Sequence, residues 1–264
     1  MGRIYVTGAK GFLGSHLIKR LKDPICIPHE EIRDIKLQQY DRFFFLSAYG
    51  NMAWHDDDEK IFQANIRDLI YILTQKATYK GFQSFTFIST SSVRLPIQTM
   101  YSRTKRAAEE ILLAFMEKHK LPIQIIRPFS ITGVGEQKEH LIPKLIESAY
   151  DGSVVNLVPE PVHDFIDVED VVDGIMSLTE HSARGIFELG TGIQHSNLQV
   201  KEIVEKIVGN INVNITPQER DYDTTSWVST NFKARGYGWL PKKKLEQSIK
   251  EMVDARWYEL HPTQ

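Results

Sequence analysis

Arg3-Ile4-Tyr5-Val6-Thr7-Gly8-Ala9-Lys10-Gly11-Phe12-Leu13-Gly14 is the stretch whose reading decides the fold. Ile4, Tyr5 and Val6 form a short apolar strand that runs into a turn carrying three regularly spaced glycines. Apolar residues then recur at helical spacing, at Phe12, Leu13, Leu17, Ile18 and Leu21, and predict a helix over 11–22. Asp23-Pro24 breaks that helix, and Ile25-Cys26-Ile27 reads as a second strand.

Outward from this opening the same alternation continues. Phe43-Phe44-Phe45-Leu46 is an apolar run of the kind expected of a strand buried on both faces. A helix over 57–77 follows, with Ile61, Ile66, Leu69, Ile70 and Leu73 as its stripe. Phe85-Thr86-Phe87-Ile88 is the next strand, a helix covers 100–119, and 123–126 is a strand ended by Arg127-Pro128. Strands alternating with helices predict an α/β fold built on a Rossmann-type doubly wound parallel sheet. After Gly133 the pattern loosens into helices over 140–150, 197–208 and 245–258 and a strand-to-helix step over 165–178. The expected division is a sheet domain of 1–132 with about 161–190, and a small C-terminal lobe of about 133–160 with 191–264.

Composition narrows the class. The 264 residues are 42% hydrophobic and 25% charged, with a net charge of −2, an ordinary globular balance without an electrostatic footprint for nucleic acid. Cys26 is the single cysteine, which excludes an internal disulfide framework, and it is expected as a small buried hydrophobe in its strand. No apolar run approaches the ~20 residues of a membrane span. The N-terminus leads straight into a strand and leaves no room for a signal peptide, so a soluble cytoplasmic protein is expected. No metal-ligand set stands out.

The chemistry lies where strands end. A glycine turn between a strand and a helix lets backbone N–H groups and the helix dipole receive a pyrophosphate. Gly8 suits the tight turn, Gly11 a close backbone approach and Gly14 helix–strand packing, with Lys10, Phe12 and Leu13 in the same loop. Tyr101 and Lys105 stand four apart on a helix and so share a face. A nearby ammonium favours the phenolate of a Tyr and brings it toward working pH, and a hydroxyl of Ser89-Thr90-Ser91-Ser92 can hold a substrate oxygen. Together these residues read as a hydride-transfer site. No acid sits at the tip of the second strand, where an NAD ribose would want one. Lys10, His29 and Arg33 surround that place and favour NADP(H) over NAD(H), although Glu30 or Glu31 can still reach a ribose.

These motifs resemble the extended branch of the short-chain dehydrogenase/reductase superfamily, the nucleotide-sugar epimerases, dehydratases and reductases, over nearly the whole chain. The resemblance rests on the glycine loop, on Asp41 through Ala48, on Ala64-Asn65-Ile66-Arg67-Asp68-Leu69 and on Phe87-Ile88-Ser89-Thr90-Ser91-Ser92-Val93. It rests also on Tyr101 with Lys105, on Arg127-Pro128-Phe129-Ser130-Ile131-Thr132-Gly133, on His163 through Val171 and on 227–241. It implies Thr90, Tyr101 and Lys105 as the catalytic residues, with cofactor contacts also from Leu46, Ser47, Ala48, Asn65, Ser89, Pro128 and Phe129. Substrate contacts are implied at Tyr49, Ser91, Ser130 and His163.

Dehydratases of this branch place Asp-Glu directly after the catalytic Thr; Ser91-Ser92 stand there here, and neither can act as acid or base at neutral pH. The function expected is therefore an NADP(H)-dependent reductase of a keto group on a nucleotide-activated deoxysugar. The alternatives are a nucleotide-sugar 4-epimerase with tightly held NAD and a non-enzymatic dinucleotide-binding sensor. A homodimer is expected through the helices over 57–77 and 100–119, because Ala107, Ala108, Ile111, Leu112, Ala114 and Phe115 spread beyond one core-facing stripe.

Overall fold

The protein is represented by a computed structural model that describes residues 2–38, 41–52, 54–75, 82–217, 221, 224 and 226–261. It divides into two compact units: Met1–Pro128 with Val172–Glu188 and Phe232–Trp239, and Phe129–Val171 with Leu189–Asn231 and Leu240–Gln264.

The first unit contains strands β1 (Ile4–Thr7), β2 (Ile25–Ile27), β3 (Arg42–Phe45), β4 (Ser84–Ile88) and β5 (Ile123–Pro128). With β10 (Gly185–Leu189) they make a six-stranded sheet in the order β10-β5-β4-β3-β1-β2. The pairings β2–β1, β1–β3, β3–β4 and β4–β5 are all parallel. Chain order reverses at β1, the switch point outside which ligands bind in open α/β sheets. Helix α1 (Phe12–Leu17) follows β1 and tightens into a 3-10 turn at Ile18–Arg20.

Between β3 and β4 run α2 (Asp58–Phe62) and α3 (Asp68–Leu73), joined by a π-helical stretch at Gln63–Arg67. The end expected at Ala77 lies outside the described residues. Helix α4 spans Met100–His119; Thr99 caps it by accepting from the N–H of Ser102.

Strand periodicity explains the packing. Tyr5, Phe43, Phe45, Phe85 and Phe87 alternate along β1, β3 and β4 and cluster with Leu69, Ile72 and Leu73 of α3 and Ala108 and Leu112 of α4. Their rings meet at 5.5 Å for Phe43–Phe85 and 5.9 Å for Phe45–Phe87. Each fully buried Phe contributes about 1.5–3 kcal/mol, so this layer holds the strand ends in fixed register.

Cys26 departs from its expected burial: it is exposed. Strand β2 is an edge strand of three residues, paired with β1 alone, and only Ile27 of the three is buried.

The second unit contains β6 (Ser130–Thr132), α5 (Leu141–Asp151), β7 (Val155–Leu157), β8 (Val162–His163) and β9 (Phe165–Asp167). Helix α6 (Val168–Glu180) leaves it for the first unit; later come β11 (His195–Ser196), α7 (Asn197–Val208), β12 (Val213–Ile215) and α9 (Leu245–Leu260). Its core joins Ile142, Leu145 and Ile146 of α5 to Val200 and Val204 of α7 and Ile249 and Met252 of α9. The short α8 (Phe232–Arg235) lies in the first unit, so the chain returns there twice. Among the described residues no helix is long and apolar enough to cross a membrane.

Candidate active site

The loop after β1 is built on backbone. Thr7 is fully buried, and its Oγ1 accepts from the N–H groups of Leu46 (3.1 Å) and Ser47 (3.2 Å), which stitches the ends of β1 and β3 together. Gly8 turns at φ +68°, where a Cβ would stand 2.9 Å from the backbone of Leu46 and Ser47. A Cβ on Gly14 would come within 2.1 Å of the Gly8 carbonyl oxygen, so α1 packs directly on the loop. Lys10 and Gly11 are exposed, Phe12 is half-buried and Leu13 is buried. Leu46 and Ser47 are half-buried and Ala48 is exposed beside them. Such a cradle, which side chains at Gly8 and Gly14 would fill, fits a dinucleotide pyrophosphate.

Tyr101 and Lys105 lie one turn apart on α4, but their electrostatics differ from the expectation. Lys105 is fully buried; its Nζ sits 4.1 Å from the centre of the Phe87 ring and has no hydrogen-bond partner among the described residues. Burial pulls its pKa down to about 7, against the opposing charge of Glu109. Burial likewise pushes the Tyr101 phenol up to about 12. Loss of water accounts for both shifts, and Lys105 thereby surrenders part of the charge that was expected to favour the Tyr101 phenolate. An ammonium buried without a partner is costly, and hydroxyl oxygens of a bound ligand, such as those of a dinucleotide ribose, would be fitting acceptors for it. Glycine cradle and orphaned ammonium both fit the cofactor.

The hydroxyl run is divided by its partners. Ser89 is buried and donates to Glu109 at 2.5 Å. Thr90 Oγ1 accepts from the N–H of Ser92 and lies 2.9 Å from the Ser92 hydroxyl, capping a 3-10 turn over Ser91–Arg94. Thr90 is half-buried, which leaves it reachable, whereas Ser91 is buried.

Asn65 is wholly buried in the π-helical stretch, and its amide is taken up by the protein. Oδ1 accepts from the N–H of Tyr49, while Nδ2 donates to the Tyr49 carbonyl (2.9 Å) and to Thr104 Oγ1 (3.0 Å). Asn65 thereby clamps the segment after β3 to α4. Tyr49 stacks on His55 at 4.3 Å. In the next residue, a Cβ on Gly50 would meet Tyr101 Cβ at 3.4 Å, so this segment runs against the start of α4.

The basic group after β2 is less available than its residue types suggest. The register of β2 on β1, Ile27 opposite Thr7, brings His29 level with the glycine loop. His29 Nδ1 lies 2.9 Å from Oδ2 of the buried Asp68, whose carboxyl is pushed up by burial. Arg33 lies over the Tyr71 ring at 5.9 Å.

In the second unit, Ser130 Oγ and His163 Nδ1 are 3.2 Å apart, and His163 packs on Trp227 at 5.0 Å. Asp164, to which the sequence assigned no role, is wholly buried. It accepts from the backbone of Thr191, Gly192 and Ser229, tying three separate segments together. Pro128 and Phe129 are both buried. Sequence reasoning also passed over Glu109 and Asp68; Glu109 had a signal, its place at i+4 from Lys105. Among the described residues no group of three or more His, Cys, Asp or Glu could hold a metal ion.

Comparison with known proteins decides the family: the profile of the NAD dependent epimerase/dehydratase family matches residues 28–190. The chain belongs to this family. A UDP-glucose 4-epimerase of Lactobacillus helveticus is 23% identical, over 98% of this chain and 98% of that protein. The dTDP-D-glucose 4,6-dehydratase of Mus musculus is 25% identical over 85% of this chain, which spans 64% of the mouse protein's length. Among solved structures, MoeE5 in complex with UDP-glucose and NAD superposes with a TM-score of 0.84 at 22% identity, covering 98% of this chain and 100% of that one. That likeness shows the shared fold.

Proposed function

We propose that the protein inverts a hydroxyl-bearing carbon of a nucleotide-activated sugar, by oxidising it to a ketone and reducing it again from the other face, as an NAD(P)-dependent epimerase. The observation that carries this reading is Lys105, buried and without a hydrogen-bond partner one turn beyond Tyr101. A bound nicotinamide would supply the hydride chemistry. Lys105 would hold the cofactor through its Nζ donors and, with a partner regained, would again be the cation that favours the Tyr101 phenolate. Tyr101 takes the proton of the substrate hydroxyl as hydride leaves its carbon, and returns it when hydride comes back. Thr90 Oγ1 holds the reacting oxygen. Ser130 and His163, 3.2 Å apart in the second unit, form a polar pair suited to a diphosphate, His163 as a cation when protonated. Ser91 and Ser92 supply neither acid nor base, which argues against loss of water from the sugar.

Reductase and epimerase share these residues, and two observations favour the epimerase. One is the similarity to a UDP-glucose 4-epimerase along nearly the whole of both chains. The other concerns NADP(H): with His29 against Asp68 and Arg33 over Tyr71, Lys10 is left to argue for a 2′-phosphate, so NAD(H) suits the site better. Denaturing the purified protein should release NAD(H), and UDP-glucose or a dTDP-hexose should be interconverted with its 4-epimer without net cofactor change. Exchangeable NADP(H), oxidised one for one with a keto sugar, would establish the reductase instead. Binding without any turnover would point to a sensor, and failure to bind either dinucleotide would end the reading.

Assembly as a homodimer is part of the proposal. Helix α4 buries Ala108 and Leu112 in its own core and packs Ile111 and Phe115 partly against it, which uses much of the apolar surplus. Ala107 and Ala114 remain exposed, and Phe62 and Ile70 are 40% and 37% exposed on α2 and α3. Light scattering at micromolar concentration should give twice 30.4 kDa; a mass of one chain would exclude the dimer.

A further inference from the structure

Glu109 lies one turn beyond Lys105 on α4 and is 1% exposed. Three hydrogen bonds from two residues fix its carboxylate. Arg127 at the end of β5 reaches it through Nε (2.9 Å to Oε1) and Nη2 (2.5 Å to Oε2), and Ser89 donates to Oε1 at 2.5 Å. Ser89 immediately precedes Thr90, so the same carboxylate ties the hydroxyl strand to the helix that carries Tyr101 and Lys105.

We propose that Glu109 is a positioning residue for Lys105: its carboxylate, held by Arg127 and Ser89, keeps Lys105 in the charged form that grips a dinucleotide. This rests on the cofactor role given to Lys105 above. Stability alone does not account for the arrangement, since a buried ion pair is often no better than well-packed apolar residues in its place. A buried carboxylate one turn from an otherwise unpartnered ammonium acts on it through a medium of low dielectric. Among the described residues Glu109 is the charge that acts on Lys105; the Phe87 ring on β4 lies against its ammonium, and Thr104 and Tyr101 on α4 are uncharged neighbours in sequence, Tyr101 kept protonated by burial. Glu109 is the charge that opposes the downward pull of burial on Lys105. Arg127, which pairs with Glu109, also feels Glu188 on β10 and Glu110 on α4. Arg127 offsets part of the Glu109 field, so removing either partner should act on Lys105 in opposite directions.

The test is direct binding of NADH and NADPH by fluorescence from pH 6 to 9, with the full-length wild type, Glu109→Gln and Arg127→Gln. Protonated Lys105 is the binding form, so wild-type affinity should fall as pH rises through its titration. Glu109→Gln keeps the size of the side chain and one accepting oxygen, turns the other into an NH2 donor and loses the charge. Its fall should begin on the order of one pH unit lower, with near wild-type affinity at pH 6. Arg127→Gln should move the fall to higher pH, and it decides the matter alone if Glu109→Gln does not fold. A loss of affinity equal at every pH, or shifts of the same sign in both variants, would overturn the inference and leave a structural role. A wild type that binds neither dinucleotide at any pH would remove the cofactor reading itself, and the inference with it.

Discussion

Tyr101→Phe should cut turnover by ~10²–10⁴-fold while leaving folding and dinucleotide binding nearly intact. Only the hydroxyl is lost, and the structural neighbours of Tyr101 are met by its backbone and ring: its carbonyl accepts from Thr104 Oγ1, and its Cβ faces the segment at Gly50. The phenol, pushed up to about 12 by burial, is fully protonated at neutral pH until Lys105 recovers its charge. Activity in the wild type should therefore rise with pH as the Tyr101–Lys105 couple ionises with cofactor bound, and the residual activity of the Phe variant should lack that rise. The check is a pH–rate profile of both proteins on the sugar identified by epimer interconversion. Retention of more than about a tenth of the wild-type rate would rule out Tyr101 as the general acid/base.

Lys105→Met should make the cofactor-free protein more stable and unable to hold the dinucleotide. Burial lowers the Lys105 pKa from 10.5 to about 7, a cost on the order of 5 kcal/mol for keeping the charge below pH 7. The sign follows from linkage: between about 7 and 10.5 the unfolded chain keeps a proton that the folded chain has lost, so stability rises with pH across that window. Met fills similar volume over the Phe87 ring without a charge to desolvate. Its advantage should be largest below pH 7, on the order of 5 kcal/mol, nearly as large at pH 7, and should shrink toward pH 10. Added NADH should stabilise the wild type by mass action and leave the variant unmoved. Denaturant unfolding at pH 7 and pH 10, with and without NADH, reads all of this. A variant less stable than wild type at pH 7, or one equally stabilised by NADH, would contradict it. Such a residue is a stability cost accepted for function.

What the sequence determined by itself is whatever depends on neighbours within a turn or two of chain. The apolar period and the Thr99 cap place α4 over Met100–His119, where it was expected. The period with the Ser196–Gln199 capping box does the same for α7 at Asn197–Val208. Gly8, Gly11 and Gly14 declared the cradle, and Tyr101 with Lys105 declared a shared face, because glycine conformation and helical spacing are local properties.

Partners far along the chain were decided only by the tertiary structure. Asn65 spends its amide on Tyr49 and Thr104, His29 faces Asp68, and Glu109 is gripped by Arg127 from the next strand. Each of these meetings is set by the order and register of the parallel strands, which hydrophobic pattern does not encode. Cys26 is exposed for the same reason: an apolar triplet looks alike at the centre and at the edge of a sheet, and only strand order puts β2 outside. The charge on Lys105 follows suit, since residue type supplies an ammonium but only burial without a partner takes its proton's affinity down.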